Sequence, residues 1–432
     1  MSENKDITLL LQFVTANINN FVTTCTNFVV YKNVMAMERA IVHMDLDTFF
    51  VSCERLSNSK LLGIPLIIGG GDRGVVASCS YEARTFGVRS AMPIKMALRL
   101  CPQAKVMKGD MELYSKLSHN VTQIIEEKAP IMEKASVDEF YLDISGMDKF
   151  HGSYKWTNEL AQCVTKETGL PISFALSVNK TVSKIATGEG KPMGNLEIPQ
   201  QMVQPFLNPL SVKKIPMVGD VTFQLLSRIG IRTIQTLSEM PAEVLQRMIG
   251  KNGLELWKKA NGIDNSPVEP YTERKSISTE HTFSQDTIDI VKLKSVLMGM
   301  VEKLAFQLRC EQWLTSTIVV KIRYANFDTE TKQCRVQYTS ADHILTKSVT
   351  DLFDKLYQRR MRLRLIGIRF SGLVRGTYQI NLFEDTEEML SLYQAMDKMK
   401  SRYGFDAVMR CAGATFKPNN KAEILKRNPN VP

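Results

Sequence analysis

The most constraining feature of this sequence is an apolar run that ends in acids. Residues 41–44 read IVHM, and Asp45 and Asp47 follow on either side of Leu46. Alternate residues of a strand point to the same face, so the two carboxylates would share one side of the strand end. Burying a carboxylate without a partner is costly, so a strand that ends in this way predicts a cation nearby.

A second acidic stretch, SVDEFYLD, occupies residues 136–143. Asp138 and Glu139 are neighbours in a predicted strand, where neighbours point to opposite faces. Both can therefore serve one site only if the backbone twists or bulges there. Three converging carboxylates without His or Cys would select a hard cation, Mg²⁺ or Mn²⁺. Two such ions about 3.5–4 Å apart suit a phosphoryl displacement, whereas surface acids at strand ends are the alternative for either pair alone.

Length, net charge and cysteine content limit the class of protein. The chain has 432 residues, which is too long for one ordinary core and predicts two to four domains. Its net charge of +10 favours nucleic acid or an anionic membrane as a partner, with plain solubility as the alternative. The eight cysteines form no C-x-x-C pair, which predicts free thiols in a reducing cytoplasm and argues against a disulfide or zinc framework.

The N-terminus predicts no membrane association. Residues 7–36 are fairly apolar, but Asn, Thr and Gln interrupt the run every few positions, so it makes a poor membrane span. Its acidic start and its lack of a clear cleavage site make it a poor signal peptide. Since Met37 directly precedes the first convincing strand, we expect residues 1–36 to be an unstructured extension or upstream sequence ahead of the natural start.

The periodicity predicts a chain of mixed elements. Strands and helices mix through residues 38–200 as an α+β domain. Residues 63–80 read as strand, glycine turn and strand, and no G-K-[ST] follows the glycines, so a hairpin is favoured over a nucleotide-binding loop. Residues 201–265 look helical throughout. The next ten residues or so, with two prolines and four charges, read as a linker.

After the linker, the predicted order is β-α-β-β-α-β, a small open sheet covered by two helices. Basic residues alternate with apolar ones in RLRLIGIRF (362–370), so one strand face would be cationic and would suit a DNA backbone. A solvated, exposed face is the alternative. The arginines that we expect at the DNA are Arg362, Arg364 and Arg369.

Residues 215–237 are similar to a helix-hairpin-helix. The turn at Gly219 would present backbone N–H groups to a phosphate, a contact that reads no base sequence. Helical hairpins are common, so an ordinary αα-hairpin is the alternative, and the position of this segment after the acidic stretches favours DNA binding.

Four sequence segments occur in a fixed order along the chain and together resemble a known protein family. They read DLDTFFVSCE, SYEARTFGVRSAMPI, SVDEFYLDISG and NKTVSKIATGEGKPMG. They closely resemble the Y-family of translesion DNA polymerases, in particular the bacterial DNA polymerase IV branch, from about residue 38 to the C-terminal region. The resemblance implies a multidomain α+β fold of the right-hand polymerase type, with an α+β palm, small fingers, a helical thumb containing the helix-hairpin-helix, and a βαββαβ little finger.

The resemblance also implies a division of the chain into domains. The N-terminal extension (1–36) precedes them and a C-terminal tail (385–432) follows them. The implied domains are the palm (37–48 and 108–200), the fingers (49–107), the thumb (201–265), the linker (266–275) and the little finger (276–384).

The family's metal site maps onto the acids. Asp45 and Asp138 would be shared between two Mg²⁺ ions, with Mn²⁺ as a further possibility, and Glu139 would be the ligand beside the primer 3′-hydroxyl. The backbone carbonyl of Leu46 would complete the metal on the nucleotide side. Asp47 matches an acid of the motif that is usually not a ligand, so we expect a local structural or polar role for it.

The resemblance assigns nucleotide contacts as well. Phe50 falls on the steric-gate position, where a bulky ring against C2′ of the sugar leaves no room for a 2′-hydroxyl. Phe49 would pack beside it, and for both rings ordinary core packing is the alternative. An arginine offers a rigid fork of donors to phosphate oxygens. The residues that match the family's triphosphate contacts are Ser78, Tyr81, Arg84 and Lys191.

The peptide QINLF, Gln379 to Phe383, resembles the Q-x-x-L-F peptide by which bacterial polymerases dock on the sliding clamp. Gln379 would hydrogen-bond at the rim of the clamp pocket, and Leu382 and Phe383 would fill it as apolar anchors.

The leading hypothesis is therefore a template-directed, low-fidelity DNA polymerase that acts as a cytoplasmic monomer on primer-template DNA and deoxynucleoside triphosphates. A nucleotidyl cyclase with a palm-type site is one alternative, and the helix-hairpin-helix and the basic C-terminal sheet argue against it. A non-catalytic accessory protein that binds DNA or the clamp is another, and the intact acids Asp45, Asp138 and Glu139 argue against that one.

Overall fold

The computed structural model describes residues 39–71, 73–147, 152–376 and 387–413. The chain forms two compact units. The first unit combines Met1–Asp47 with Asn120–Pro270, and the second combines Thr48–His119 with Tyr271–Pro432. The predicted N-terminal extension (1–36) and clamp peptide (Gln379–Phe383) lie outside the described residues. The domain boundaries implied by the resemblance remain predictions.

Twelve strands occur in the described parts of the chain. In order they are β1 (Ile41–Leu46), β2 (Leu66–Gly69), β3 (Val76–Cys79), β4 (Lys105–Met107), β5 (Ile131–Lys134), β6 (Glu139–Asp143), β7 (Ile172–Ser177), β8 (Asn195–Ile198), β9 (Ser276–Thr287), β10 (Trp313–Tyr324), β11 (Thr329–Thr339) and β12 (Leu363–Arg375).

The helices of the same described parts follow one numbering. They are α1 (Phe49–Ser57), α2 (Tyr81–Thr85), α3 (Ile94–Leu100), α4 (Met111–Lys128), α5 (Ser153–Thr168), α6 (Lys180–Gly190), α7 (Val203–Leu207), α8 (Asp220–Arg228), α9 (Ile234–Ser238), α10 (Ala242–Ile249), α11 (Lys251–Ala260), α12 (Ile290–Cys310), α13 (Asp342–Leu356) and α14 (Glu387–Tyr403).

The first unit is built on a five-stranded sheet with the order β5-β6-β1-β7-β8. Strand β1 lies in the middle, antiparallel to both β6 and β7. Ile41, Val42 and Met44 are fully buried, which explains why the first strand reads as an apolar run instead of an alternating one. Helix α5 ends as its sequence predicts, because Gly169 adopts a φ of 71° that suits a glycine C-cap.

The helical stretch predicted over 201–265 is confirmed by α7–α11. Apolar side chains of these helices form one core with α6 and β7, including Ala175, Val182, Leu226 and Leu256. Helix α6 itself begins at a clear signal, since the Asn179 side chain accepts a hydrogen bond from the N–H of Val182. The first unit therefore joins its five-stranded sheet to a group of helices through a continuous core.

The second unit contains two sheets. The small one has the order β3-β2-β4, with β2 and β3 antiparallel. This confirms the hairpin and removes the nucleotide-loop interpretation, because a strand and not a helix follows the glycines. Its turn needs glycine at Gly74, where a Cβ atom would lie 1.7 Å from the carbonyl oxygen of Gly70.

The larger sheet has the order β11-β10-β12-β9 and is antiparallel throughout. Helices α12 and α13 pack on it, with Ile318, Ile366 and Phe370 in the shared core. The predicted order β-α-β-β-α-β is confirmed. Helix α13 begins at Asp342, and its N-cap is Ala341, whose methyl side chain cannot accept a hydrogen bond from the first turn.

The described C-terminal residues pack against α12. Arg309 of α12 donates two hydrogen bonds to the Asp397 carboxylate, at 2.6 and 2.9 Å, and another to Asp342 at 2.6 Å. Lys400 is fully buried, with its Nζ 4.6 Å from the ring centre of Phe405. The segment 387–413 is thus held by a buried charge network and by aromatic contacts. Within the described residues, no helix is long and apolar enough to cross a membrane.

Replacing Arg309 with Met should loosen this segment. The change removes the cation that contacts Asp397 and leaves the buried Asp342 carboxylate with Arg410 at 3.7 Å, and losing one partner of a buried ion pair costs about 3–5 kcal/mol. Trypsin can cut after the buried Lys400 only when the segment opens, so we expect the cleavage rate there to rise on the order of 100-fold, as measured by mass spectrometry of the native protein.

Arg359→Met is the matched control in the same unit. Arg359 forms ion pairs with Asp328 and Glu330 but is half exposed, and such pairs contribute about 1 kcal/mol or less. Cleavage after Lys400 should therefore change little in this variant. Equal cleavage rates in the two variants would contradict the role assigned to the Arg309 network.

Candidate active site

The predicted acids come together at one edge of the first unit's sheet. Asp45 of β1 lies directly opposite Glu139 of β6 in the antiparallel register. The N–H of Leu46 donates to the carbonyl of Asp138 at 3.0 Å. The structure therefore places Asp45, Leu46, Asp138 and Glu139 beside one another, although more than ninety residues separate the two stretches in sequence.

The backbone at the second acidic stretch differs from the prediction. Asp138 was expected inside a strand, but β6 begins at Glu139 and Asp138 lies in the turn before it. Ser136 organises this turn: its Oγ accepts hydrogen bonds from the N–H groups of Asp138 and Glu139, at 3.3 and 3.1 Å, and also contacts the Asp138 carboxylate. A serine turn, and not a strand bulge, lets the two neighbouring acids reach one edge.

Two lysines form ion pairs with the acids. Lys191 Nζ contacts the Asp45 carboxylate and lies 3.7 Å from Asp47. Lys184 Nζ lies 2.7 Å from both carboxylate oxygens of Glu139. Burial raises the pKa of Asp45 to about 6, although Lys191 acts in the opposite direction. A desolvated carboxyl of this kind gains more from a nearby cation than an exposed one would.

The donor chemistry at this edge fits hard divalent cations. Carboxylates and a backbone carbonyl are oxygen ligands, which Mg²⁺ and Mn²⁺ prefer. His43 lies 4.0 Å from Glu139, and burial lowers its pKa, so it adds no charge there. In the part of the chain that the structure describes, no three acidic, His or Cys side chains form a closed ligand set. The lysine contacts hold Asp45 and Glu139 individually instead.

Asp47 has the local role expected for it. Its side chain is buried, and the hydroxyl of Ser173 lies 3.0 and 2.9 Å from its two oxygens. The N–H of Met193 donates to the same carboxylate at 2.7 Å. Asp47 therefore fixes the segment that follows Lys191, which aims the lysine at the acids.

In the second unit, the two phenylalanines have different environments. Phe49 is 2% exposed and belongs to the buried core, as ordinary packing predicts. Phe50 stacks on Tyr114, with ring centres 4.4 Å apart and an interplanar angle of 13°. Phe50 also lines a cleft of about 1000 Å³ together with Val75 and Ala77. Core packing alone accounts for Phe49 but leaves the cleft-facing position of Phe50 unexplained.

The predicted triphosphate contacts fall into both units. Ser78 lies in β3, and Tyr81 and Arg84 lie on the short helix α2 that follows. The guanidinium of Arg84 is 4.9 Å from the ring centre of Tyr81. Lys191 belongs to the first unit, where it contacts Asp45. Tyr81 and Arg84 thus lie side by side through a cation–π contact.

Comparison with protein families gives two consecutive matches. The impB/mucB/samB family matches residues 44–188. The C-terminal domain of the same family matches residues 274–382. The two matches span the acidic strands, the hairpin sheet and the four-stranded sheet.

Comparison with individual proteins points the same way. DNA polymerase IV of Dehalococcoides mccartyi is 35% identical over 384 residues, which cover 88% of this chain and 98% of that protein. DNA polymerase IV of Listeria innocua is 35% identical over 343 residues, 78% of this chain and 96% of that protein. A solved Y-family DNA polymerase chimera of Dbh and Dpo4 superposes with a TM-score of 0.69 at 25% identity, covering 78% of this chain and 100% of the other. This chain belongs to the Y-family of DNA polymerases.

The DNA polymerase IV relatives place it in that branch, as the four sequence blocks predict. DinB from Sulfolobus solfataricus is a further structural neighbour, with a TM-score of 0.55 at 25% identity over 77% of this chain and 98% of the other. The predicted fold class, a multidomain α+β polymerase of the right-hand type, is thereby confirmed.

The three arginines predicted at the DNA, in and beside β12 of this Y-family polymerase, have different surroundings. Arg369 is exposed on the sheet face opposite the helices, next to Val319 of β10. Arg364 lies at a register shift, and its guanidinium packs 4.6 Å from the ring centre of Phe327. Arg362 precedes the strand, and its carbonyl accepts from the N–H of Ala325. The register shift at Arg364 interrupts the regular alternation, and the contacts of these three arginines with DNA remain predictions.

Other strands supply the rest of the basic face, which sequence reasoning missed. Lys321 of β10 pairs with Gly367 of β12, two residues from Arg369 on the same outward face. Arg335 of β11 pairs with Thr317 of β10, which also lies on that face. Lys321 is partly neutralised by Glu280 at 2.8 Å. The cationic character of this face therefore comes from three adjacent strands, a property that only the sheet order reveals.

Gly219 lies where the helix-hairpin-helix prediction needs it. It is the N-cap of α8, and no atom lies within 4 Å of the position that a Cβ would take. No side chain caps the first N–H groups of this helix. The turn therefore leaves room for a group to approach its backbone closely.

Sequence reasoning also missed Lys184 and Ser136 as parts of the site. Lys184 precedes Lys191 by seven residues, about two helical turns. Lys191 directly follows α6, so both lysines lie on the same side of this helix. That spacing was a usable signal. Ser136 gave none, since its role depends on the turn before β6.

Proposed function

We propose that this Y-family DNA polymerase extends a primer along a template by nucleotidyl transfer and synthesises past damaged bases with low fidelity. In this reaction the primer 3′-hydroxyl attacks the α-phosphate of a deoxynucleoside triphosphate, and pyrophosphate leaves. The observation that carries the proposal is the pairing of Asp45 with Glu139, with Asp138 beside them, at one sheet edge. The cyclase and accessory-protein alternatives are not favoured, because the relatives are DNA polymerases.

The carboxylates of Asp45, Asp138 and Glu139 and the carbonyl of Leu46 would hold two Mg²⁺ ions, with Mn²⁺ as the alternative. When bound, such ions stabilise the attacking and leaving oxygens of a phosphoryl displacement. Lys191 is placed to exchange its contact with Asp45 for the β- and γ-phosphates of the nucleotide. That exchange would neutralise the phosphates and release the Asp45 carboxylate for ligation.

Asp138→Asn should abolish this chemistry. The amide keeps the shape of the side chain but removes its charge, and losing one such stabilising group typically costs about 100- to 1000-fold in rate. The measurement is extension of a 5′-labelled primer-template with all four deoxynucleotides and Mg²⁺.

Asp143→Asn is the control, at the other end of the same strand. Its carboxylate accepts hydrogen bonds from the N–H and hydroxyl of Ser145, at 3.0 and 2.6 Å, so its role is local. This variant should extend the primer within a few-fold of the unaltered protein. If Asp138→Asn were equally active, the metal-site assignment would be wrong.

Phe50 is proposed to exclude ribonucleotides. Its ring lines the cleft of the second unit and is braced by the stacked ring of Tyr114, whereas Phe49 is buried beside it. A rigid ring at C2′ of the sugar would clash with a 2′-hydroxyl and tolerate a hydrogen.

Phe50→Val should therefore admit ribonucleotides. We expect the ratio of kcat/KM for deoxynucleotides to that for ribonucleotides to fall at least about tenfold, since removing the ring opens the space of several methylene groups. Phe50→Tyr, which keeps the ring, should retain most of the discrimination. Unchanged sugar selectivity in the valine variant would refute the gate.

The remaining contacts are proposed from the family's motifs. Basic and helix-terminal groups position a nucleic acid backbone without reading its bases. The triphosphate would meet Ser78, Tyr81, Arg84 and Lys191, and the DNA backbone would meet Gly219, Arg362, Arg364 and Arg369. The seven cysteines in the described part of the chain form no disulfide with one another. We propose that the polymerase acts in a reducing cytoplasm. We also propose that the polymerase acts as a monomer.

The sliding clamp is the proposed protein partner, held by Gln379, Leu382 and Phe383. Replacing Leu382 and Phe383 together with Ala should remove the apolar anchors and abolish stimulation by the clamp. Distributive synthesis without the clamp should persist, as followed by product length with and without clamp and loader. Equal losses in both assays would argue for a role in folding instead.

A further inference from the structure

The ring of Phe50 is held by a second residue through an aromatic contact. Tyr114 of α4 is almost fully buried, and its ring lies nearly parallel to that of Phe50. Phe49 completes the cluster, with its ring centre 5.7 Å from Phe50 and 6.3 Å from Tyr114. The position of Tyr114 therefore determines how far the Phe50 ring can tilt at the wall of the cleft.

Tyr114 is in turn anchored by a buried carboxylate. Its hydroxyl donates to Glu54 Oε1 at 2.6 Å, a short distance for a bond to a charged acceptor. Glu54 is only 8% exposed. Burial and the bond to Glu54 raise the pKa of Tyr114, so its hydroxyl stays protonated and remains a donor. Burying the Glu54 carboxylate without a hydrogen-bond donor would be costly, so its burial favours the bond to Tyr114.

The spacing on α1 explains the geometry. Glu54 follows Phe50 by four residues, so the two side chains lie on one face of the helix, about 5–6 Å apart at their Cβ atoms. Tyr114 spans that distance, with its ring against Phe50 and its hydroxyl on Glu54. One helix face thus presents the ring and also the group that fixes the ring's neighbour.

We propose that Glu54 is a positioning residue for sugar discrimination, because it fixes Tyr114 and thereby holds the Phe50 ring against the sugar. The inference rests on the gate function proposed for Phe50. Glu54 does not touch the nucleotide in this scheme. It acts by restricting the rotation and tilt of two stacked rings.

The test measures kcat/KM for a deoxynucleotide and for its ribonucleotide in single-nucleotide primer extension. Glu54→Leu removes the acceptor, and Tyr114→Phe removes the donor while keeping the ring. Each should lower the deoxy-to-ribo ratio on the order of tenfold, the effect of one hydrogen bond to a charged group. The double variant should lose no more than either single variant, because both changes break the same bond. Glu54→Gln, whose amide oxygen still accepts, should keep most of the discrimination.

A purely structural role would give a different pattern. The inference is overturned if Glu54→Leu and Tyr114→Phe lower the melting temperature but leave the ratio unchanged, or if their effects on the ratio multiply in the double variant. Should Glu54→Leu fail to fold, Tyr114→Phe and Glu54→Gln still decide the question. If the unaltered protein extends primers but Phe50→Val keeps full selectivity, the gate and this inference fail together. If the unaltered protein extends no primer, the proposed function itself fails.

Discussion

The antiparallel pairing of β1 with β6 is the constraint on which the site depends. Each strand contributes only one or two acids to this end of the sheet. Their register sets Asp45 opposite Glu139, and the bond from Leu46 to Asp138 closes the edge. The backbone hydrogen bonds between β1 and β6 therefore bring the acids together, and the sequence needs only to supply acidic residues at the strand ends. A slip of one residue would turn the acids to opposite faces of the sheet.

Assembling like charges in a buried place is unfavourable, and the first unit offsets that cost with lysines. Lys184 and Lys191 each contact one carboxylate, and Asp47 holds the segment beside Lys191 through Ser173 and Met193. The carboxylates of Asp45 and Glu139 thus have cationic partners before any substrate arrives. The ion pair of Lys191 with Asp45 is the contact that the proposed approach of a triphosphate to Lys191 would have to break.

Much of the fold followed from local pattern. The apolar run before Asp45, the glycine hairpin and the β-α-β-β-α-β order were predictable because each depends on residues close in sequence. The convergence of the acids was predicted from their positions at two strand ends, and their metal-ligand roles remain predictions from the family resemblance. The contact between Tyr114 and Glu54 was not predictable, because 60 residues separate them and neither has a distinctive spacing. The cationic residues of β10 and β11 were missed for a similar reason, since the strand order decides which of them lie beside Arg369.

The packing of the C-terminal segment has a consequence for synthesis of the chain. Arg309 and its partner Asp397 are 88 residues apart, so α12 leaves the ribosome long before the segment that covers it. At about 5–20 residues per second, that interval lasts roughly 4–18 s. During this time Phe306 and the cation of Arg309 lack the contacts that bury them in the finished protein. The second unit therefore completes its core only after the segment that contains Asp397 has been synthesised, and its nascent form exposes apolar surface and lacks one ion-pair partner of Arg309 until then.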